Sequence, residues 1–470
     1  MSDASLSLSE RDQAVSQAVA DAVPATIADL SALVRIPSVS WPAFDAAQVR
    51  ASADAVADLL RSTGVFETVE VRQSKKVAAD ELGHPAVLAT RPARNGRPTV
   101  LLYAHHDVQP PGKDNDWDTP PYQPTVKGDR LYARGAADDK AGVMTHVAAV
   151  RALAEVAGDF DLGLVVFVEG EEEFGSASFV NFLDDNRAAL EADAIVVADS
   201  DNWNVETPSL TVALRGMVGI NLKISTLAHA SHSGMWGGAA PDAMLAAIRL
   251  LDTLWDEDGS VAVPGLVRRD SPTPGFTEDE LARDAAFLPG VAAIGTGPVL
   301  GRLWFQPAIT ITGVDAPSLA NASNTLVPSV TVRISMRVAP GQSAADAKQA
   351  LLDHLQANAP FGAVLEVLYS EEGDPFLVDT SGWAATAVKQ AMADAWGTAP
   401  VEAGIGGSIP FIADLVRVFP AAQILVTGVE DPDSRAHSPN ESLHLGVFQR
   451  AILTEALFLA RLDLHSKEDF

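Results

Sequence analysis

The feature that most constrains this chain is a set of short apolar runs that each lead into a histidine or an acidic residue. These runs are Thr99–Tyr103 before His105, Leu162–Val168 before Glu169, Ala194–Ala198 before Asp199, and Gln423–Val426 before a loop with His437. Helix-like segments, such as the Ala-rich stretch Lys140–Ala157, lie between them. Buried strands that alternate with helices predict an α/β fold with a mainly parallel sheet.

In such sheets, ligands bind just beyond the carboxyl ends of the strands, which is where these polar residues fall. Five fragments carry the candidate ligands: AHHD at 104–107, GAADDK at 135–140, EGEEEFGS at 169–176, VADSDNW at 197–203 and AHSPNE at 436–441. Carboxylates and imidazoles together can hold two divalent cations about 3.5–4 Å apart, and such a pair can activate water at neutral pH. The fragments therefore predict a two-metal hydrolase.

Composition excludes several other classes. A formal net charge of -29 argues against binding to nucleic acid or to an anionic membrane surface. The chain has no cysteine, so a metal must be held by His, Asp or Glu. Met1–Ala20 has no apolar signal-peptide core, and no run approaches the ~18 apolar residues of a membrane span. We therefore expect a soluble, cytoplasmic protein.

The length of the chain, 470 residues, favours two domains. Between 211 and 374 the pattern changes to strand-like runs with no carboxylate cluster, and Asp256–Pro274 has the composition of a surface insertion. His437 lies beyond this region, which predicts an inserted domain. We expect a catalytic domain at 1–210 and 375–470, and a smaller α+β domain at 211–374.

Each fragment also has a simpler explanation when it is taken alone. His105 can bind a metal while Asp107 hydrogen-bonds its other ring nitrogen, but H-x-D also occurs by chance. Asp138 can bridge two cations, although Asp is common at a helix N-cap, where Asp139 is expected. Either Asp199 or Asp201 can be a ligand, and both residues are also typical of turns.

The glutamates of EGEEEFGS are the more specific signal, because four acids among five residues repel one another unless cations offset their charge. One of them would bind metal while its neighbour accepts a proton from water. The alternative is a solvated acidic loop. His437 alone is most simply an ordinary loop histidine, and His232, Arg337 and the GGSIP segment are compatible with plain turn chemistry.

Taken together, the fragments resemble one known family, the cocatalytic zinc metallopeptidases that include carnosinase-type dipeptidases, aminoacylase and succinyl-diaminopimelate desuccinylase. The dipeptidase branch is the most similar. The matching motifs run in the family's order over nearly the whole chain: YAHHDVQP, WDTPPYQP, LYARGAADDK, EGEEEFGS, ADSDNW with ALRG, ASHSGMWGG, ISMRVAPGQ, GGSIP and AHSPNE.

The resemblance implies two divalent metal ions per subunit, with zinc favoured and manganese or cobalt as alternatives. One metal would be held by His105, Asp138 and Asp199, and the other by Asp138, Glu173 and His437. Asp107 would orient His105, and Glu172 would be the general base. Asp199 is preferred over Asp201 on its spacing to the motifs that follow.

For the inserted region, the resemblance implies a lid and dimerisation domain. His232 would reach across the interface of a homodimer into the partner's site and stabilise the oxyanion. Arg337 would bind the C-terminal carboxylate of the substrate. The substrate pocket would be lined by Asn324, Thr325, Gly406, Gly407 and Ser408.

The predicted reaction is hydrolysis of an amide bond in a small substrate, most simply a dipeptide with a free C-terminal carboxylate. An N-acyl-amino-acid deacylase or a carboxypeptidase on the same scaffold is the nearest alternative. A non-catalytic binding protein and a metal-free structural role are the alternatives from other classes. The chain departs from the family at Gly404 and Ile405, where an arginine and a glutamate are usual, and at Asp242, where asparagine-proline is common. These changes concern substrate identity rather than the metal ligands.

Overall fold

The computed structural model of this protein describes residues 10–271, 273–406 and 410–470. The chain divides into two compact units. The first contains the described residues up to Val212, together with Asp379–Glu402 and Asp414–Phe470. The second contains Ala213–Val378 and the described part of Ala403–Ala413.

Helices and strands alternate along the described chain. The α-helices are α1 Glu10–Val34, α2 Ala46–Ser62, α3 Lys140–Ala157, α4 Phe179–Asp185, α5 Arg187–Leu190, α6 Ser233–Trp236, α7 Ala243–Asp252, α8 Glu278–Asp284, α9 Val299–Trp304, α10 Ala344–Ala357, α11 Trp383–Trp396, α12 Pro410–Val418 and α13 Leu445–Leu464. The strands are β1 Thr68–Arg72, β2 Ala86–Arg91, β3 Thr99–His105, β4 Thr125–Lys127, β5 Arg130–Tyr132, β6 Gly163–Glu169, β7 Ala194–Val197, β8 Ser209–Leu214, β9 Gly216–Ser225, β10 Ser231–His232, β11 Ala308–Asp315, β12 Thr325–Leu326, β13 Ser329–Val338, β14 Val364–Gly373, β15 Phe376–Leu377, β16 Val401–Ile405, β17 Gln423–Val426 and β18 Ser442–His444.

The first unit is built on a mixed sheet in the order β1-β2-β6-β3-β7-β17-β8. Its centre is parallel, because β6, β3, β7 and β17 pair with one another in the same direction. The flanking pairs β1–β2, β2–β6 and β17–β8 are antiparallel. The predicted α/β architecture is thus confirmed, with its parallel strands concentrated in the middle of the sheet.

The strands β6 and β7 are buried along their whole length, and β3 and β17 are buried after their first residue, as parallel strands covered on both faces are expected to be. Helices α1, α3, α11 and α13 pack against one another, while α3 lies on β3 and α2 on β1 and β2. Asp45 caps the N-terminus of α2, since its carboxylate accepts a hydrogen bond from the amide of Ala47. This packing fixes where the carboxyl ends of the strands lie.

Among the described residues, α1 is long and apolar enough to cross a membrane by length and composition, a test that core helices of soluble proteins also pass. In the structure, α1 packs on α3 and α13. Arg11 forms an ion pair with Asp463 at 2.8 Å, and Asp12 forms one with Arg461 at 3.1 Å. These contacts place α1 among the packed helices of the first unit.

The second unit is an antiparallel sheet in the order β11-β13-β9-β14, with α7 and α10 packed on it. Alternate residues of β13 are buried, as a sheet with one covered face requires. Its core includes Ile220, Leu222, Ile334 and Met336. A short antiparallel pair, β10–β12, stands apart from this sheet.

The described residues of 403–413, which the expected limits place in the catalytic domain, group with the second unit. Two contacts explain this. The Nε of Arg215 donates to the carbonyl of Gly406 at 3.2 Å. Trp304 lies so close to Gly404 that a Cβ there would stand 2.6 Å from the Trp304 side chain. The glycine at this departure from the family motif therefore makes room for the indole.

Candidate metal centre and active site

Three neighbouring parallel strands deliver the first set of polar side chains. His105 is the last residue of β3 and pairs with Glu169, the last residue of β6. A 3-10 turn at Glu172–Phe174 follows β6, and Asp199 follows β7 by two residues. Because parallel strands end at one edge of the sheet, these side chains meet there.

Two groups of side chains have the geometry of metal sites. Site A consists of His105, Glu172 and Asp199, and site B consists of Asp138, Glu173 and His437. Within each group, one ligand atom from each residue lies within 4.8 Å of the others. The five residues preferred as metal ligands from the sequence are all in these groups, and the alternative ligand Asp201 is in neither. Site A also contains Glu172, which was expected to be the general base, whereas Asp138 groups with site B.

Asp138 lies between the two imidazoles. Its Oδ1 is 3.1 Å from His105 Nε2, and its Oδ2 is 3.0 Å from His437 Nε2. His437 Nε2 is also 3.3 Å from Glu173 Oε2, and His105 Nε2 is 3.8 Å from Asp199 Oδ1. A carboxylate that offers one oxygen to each side can bridge two cations.

Asp107 is fully buried and holds the turn that carries the two glutamates. The amide of Glu172 donates to its Oδ1 at 3.2 Å, and the amide of Glu173 donates to its Oδ2 at 3.1 Å. Ser40 Oγ donates to the same Oδ2 at 2.7 Å. The Nδ1 of His105 is 3.1 Å from the Asp107 carbonyl oxygen and 3.4 Å from its carboxylate. Asp107 thus fixes the glutamates as well as the histidine.

Glu441 is a supporting residue that the sequence did not single out, although it ends the AHSPNE motif. Its buried carboxylate accepts hydrogen bonds from the amides of Ala137 at 2.9 Å and Asp138 at 3.2 Å. It also accepts one from Arg134 Nη1 at 2.6 Å. These bonds connect the loop that carries Asp138 to the loop that carries His437.

Asp139 and Gln109 are two further supporting residues. Asp139 occupies the N-cap position of α3, but its side chain makes no capping bond and instead accepts from the amide of His105 at 3.1 Å. Gln109 Nε2 donates to Glu173 Oε2 at 2.6 Å. His106 faces away, since its Nε2 is 2.9 Å from the carbonyl of Pro85. Only tertiary structure reveals these partners.

The site concentrates negative charge in a buried space. Burial raises the pKa of Glu173 to about 11, with the Asp138 charge adding to the effect. Burial also raises the pKa of Asp199 to about 6, and it raises that of Glu172. Nearby positive charge stabilises the ionised form of carboxyl groups that are buried together in this way. Two divalent cations would supply that charge. The oxygen and imidazole donors fit zinc, manganese or cobalt.

The remaining candidates lie in the second unit. His232 is exposed on β10, pairs with Thr325 of β12, and accepts at Nδ1 from the Gly234 amide at 3.1 Å. The carbonyl of Asn324 accepts from the Ser233 amide at 2.9 Å. The structure therefore brings His232, Asn324 and Thr325 together.

Arg337 is half-buried near the end of β13, where it pairs with Ala308 on one side and Met217 on the other. Gly406 is half-buried, and its carbonyl accepts from Arg215. Gly407 and Ser408 lie outside the described residues. Asp242 caps α7 by accepting from the Leu245 amide at 2.9 Å, so this departure from the family motif has a local structural role.

The sequence pattern that defines Peptidase family M20/M25/M40 matches residues 101–461, which include every ligand of sites A and B. The chain belongs to this family. Membership of this metallopeptidase family agrees with the two groups of metal ligands at sites A and B. The M20 peptidase is similar, at 34% identity over 397 residues, to a cysteinylglycine-S-conjugate dipeptidase of Corynebacterium striatum, and the match covers 82% of this chain and 87% of that protein.

Other relatives of this M20 peptidase are also dipeptidases by name. The human Beta-Ala-His dipeptidase is 24% identical over 458 residues, which are 90% of this chain and 89% of that one. The solved structure of di-peptidase Dug1p from Saccharomyces cerevisiae covers 97% of this chain and 99% of its own, with a TM-score of 0.74 at 22% identity. That likeness confirms the fold.

Proposed function

We propose that this M20 peptidase is a two-metal dipeptidase that cleaves dipeptides with a free C-terminal carboxylate. The observation that carries the proposal is the position of Asp138 between His105 and His437, with Glu172 and Glu173 on one turn beside it. The similar proteins named as dipeptidases support the choice of substrate. A carboxypeptidase or deacylase on this scaffold is tested below.

We assign one metal to His105, Asp138 and Asp199, and the other to Asp138, Glu173 and His437, with zinc as the expected ion. The donor set fits, because three or four carboxylate and imidazole ligands per ion are typical of catalytic zinc. When bound, such ions polarise a carbonyl and make water more acidic. The peptidase's own residues then decide where the proton goes.

Glu172 is the proposed general base. Its backbone amide is held by Asp107, so its position is set independently of any charge on its side chain. Burial raises the pKa of Glu172 above its ordinary value, which favours accepting a proton from the attacking water. The protonated carboxyl can then deliver that proton to the leaving amine. Asp107 is a positioning residue in this scheme.

The second unit supplies the proposed substrate contacts. Arg337 pairs with the substrate's C-terminal carboxylate, since a guanidinium can bind a carboxylate through two hydrogen bonds. Asn324, Thr325 and the segment Gly406–Ser408 line the substrate pocket. His232 is exposed, which suits a side chain that acts in the partner's site of a homodimer. We place the enzyme in the cytoplasm.

A substrate panel tests this function. Cys-Gly, β-Ala-His and Ala-Ala would be compared with N-acetyl and N-succinyl amino acids and with a tripeptide, each assayed with zinc and with manganese. We expect turnover of free dipeptides, and no turnover after both metals are chelated. Faster hydrolysis of acylated amino acids would instead establish a deacylase, and preference for the tripeptide with release of its C-terminal residue a carboxypeptidase.

A further inference from the structure

A cavity in the second unit has no role in the proposed reaction. It has a volume of about 220 Å³ and is lined by Arg215 and by residues from the segment after α7, from α8 to α9 with the segment between them, and from the start of β11. The sequence had predicted only a surface insertion at Asp256–Pro274. In the structure, Ser260, Val261 and Arg268 from this insertion form one wall of the cavity.

The described lining residues include three arginines and no acidic residue, in a chain whose net charge is -29. Arg215 donates only to carbonyl oxygens, those of Gly406, Arg302 and Gln306, at 3.2–3.4 Å. Arg268 donates to the carbonyl of Val261. Among the described residues, neither has a carboxylate partner, so their charges are not neutralised.

Two buried polar atoms at the cavity lack a partner among the described residues. They are the hydroxyl of Ser260, a residue only 8% exposed, and the Nε of Arg302. The other nitrogens of Arg302 donate to the Ile294 carbonyl, at 2.6 Å, and to Glu278. Buried polar atoms are rarely left unpaired in folded proteins, so each indicates a missing partner.

The two residues with unpaired atoms, Ser260 and Arg302, both lie next to Gly295. A Cβ on Gly295 would stand 3.1 Å from Arg302 Cδ and 3.6 Å from Ser260 Oγ. The φ of Gly295 is 82°, a conformation that favours glycine. Asp256 Oδ1 accepts from the Ser260 amide at 2.9 Å and thereby fixes the backbone behind the hydroxyl.

The rest of the wall is apolar, with Leu281, Phe287, Val299, Leu303 and Ile309. We propose that this cavity, the arginine pocket, binds a small organic oxyanion, a carboxylate or phosphate ester, through Arg268, Arg302 and Ser260, with its apolar body on this wall. Its volume suits a molecule smaller than the ligands of typical cavities of about 300–1,000 Å³. Burial lowers the pKa of Arg215 to about 10, so its charge is present at neutral pH.

Calorimetric titration of the full-length, metal-loaded protein tests the pocket. The probes are 4-phenylbutyrate and phenyl phosphate, which separate the two headgroups, with 4-phenylbutyramide and inorganic phosphate as controls. We expect at least one organic anion to bind about ten-fold or more tightly than the amide and than inorganic phosphate, because hydrogen bonds to charged groups are strong. Equal binding of the amide, or no measurable binding of either anion, would overturn the proposal.

Variants locate the binding. Arg268→Gln changes an exposed residue, and Ser260→Ala removes an unpaired hydroxyl. Each substitution should weaken binding of the anion about ten-fold without loss of folding. Arg283→Gln is the matched control, since Arg283 is exposed on α8 and does not line the pocket.

Arg337→Gln should leave binding of the anion unchanged. Binding that is lost in Arg337→Gln and kept in the pocket variants would place the anion at the substrate site and refute the arginine pocket, whatever the enzyme's substrate is.

Discussion

Three candidate functional residues of the first unit and two of the second are held in opposite ways. In the first unit, His105, Asp107 and Asp138 are buried, and each is tied to neighbours by hydrogen bonds. In the second unit, His232 and Thr325 are exposed on a two-stranded pair. The first arrangement is organised before any substrate arrives, whereas the second leaves polar side chains without enclosing structure.

This contrast suggests a division of labour. Groups that move protons and hold cations must keep their positions within a fraction of an ångström, which requires partners on several sides. Groups that bind substrate can gain their partners from the substrate or from another subunit. We therefore expect substitutions in the first unit to have the larger effects, on chemistry and on folding. Substitutions in the second unit should have smaller effects, on binding.

The largest effect is expected from Glu172→Gln. The amide keeps the shape of the side chain but cannot accept a proton, so kcat should fall by up to about 10⁴-fold. Metal content, measured by atomic emission, should stay near two ions per chain. Glu155→Gln, at an exposed glutamate, is the control. Turnover close to wild type would remove Glu172 from the role of base.

Glu441→Gln tests whether the enclosure of the first unit depends on its supporting residues. The substitution leaves the Arg134 charge buried without its carboxylate partner, a change that typically costs about 3–5 kcal/mol of stability. Urea unfolding measures it, and weaker metal retention should accompany it. The exposed Arg94–Asp159 pair supplies a control, because Asp159→Asn should change the unfolding midpoint little. If the Glu441→Gln protein is as stable as the wild type and retains its full metal content, the loop that carries Asp138 keeps its position without Glu441.

His232→Ala tests the second unit. Loss of one oxyanion donor is expected to lower kcat by about 10²–10³-fold, with metal content unchanged. If His232 acts across a dimer, mixing inactive His232→Ala and Glu172→Gln subunits should restore part of the activity. No recovery after proven subunit exchange would show that each chain completes its own site.

Arg337→Gln should act on binding rather than on chemistry. Loss of a charge-assisted hydrogen bond of about 1.5–3 kcal/mol predicts a KM increase of roughly 10–100-fold for free dipeptides, with a smaller change in kcat. A dipeptide amide, which lacks the terminal carboxylate, should be cleaved equally poorly by both enzymes. If the variant loses the same factor on the amide, Arg337 does not bind the carboxylate.

The part of the site that lies on strand ends could be predicted from sequence, because the apolar runs place His105 and Asp199 at one edge of a parallel sheet. The antiparallel flanks of the sheet could not, since the direction of β2 depends on its pairing with β6, far along the chain. Asp107 was expected to orient His105, and the structure shows that it also accepts hydrogen bonds from the amides of Glu172 and Glu173.

The supporting residues were harder to find for the same reason. Glu441 acts on Ala137 and Asp138 from about 300 positions away, and no local pattern signals such a bond. The arginine pocket is a similar case. Its insertion has the composition of a surface loop, and only the approach of Ser260 to Arg302 around Gly295 reveals a cavity.

The smallest expected effect concerns an enclosed group outside the metal sites. His146 Nδ1 is 2.9 Å from the Glu455 carboxylate, and its Nε2 is 2.9 Å from the Tyr103 carbonyl. Although burial opposes the charge, Glu455 raises the pKa of His146 above its ordinary value. Both ring nitrogens can donate to these acceptors only in the protonated ring.

A group whose pKa is raised by folding contributes its full stability below its unfolded pKa, here about 6.5, and loses it as pH rises through the folded value. Urea unfolding of the wild type should therefore show a decline of about 1 kcal/mol above pH 6.5, the worth of one hydrogen bond. His146→Gln and Glu455→Gln should each lack that decline. If the decline in stability above pH 6.5 persists in both variants, the His146–Glu455 pair does not cause it. The contrast between the units would then be confined to the metal site.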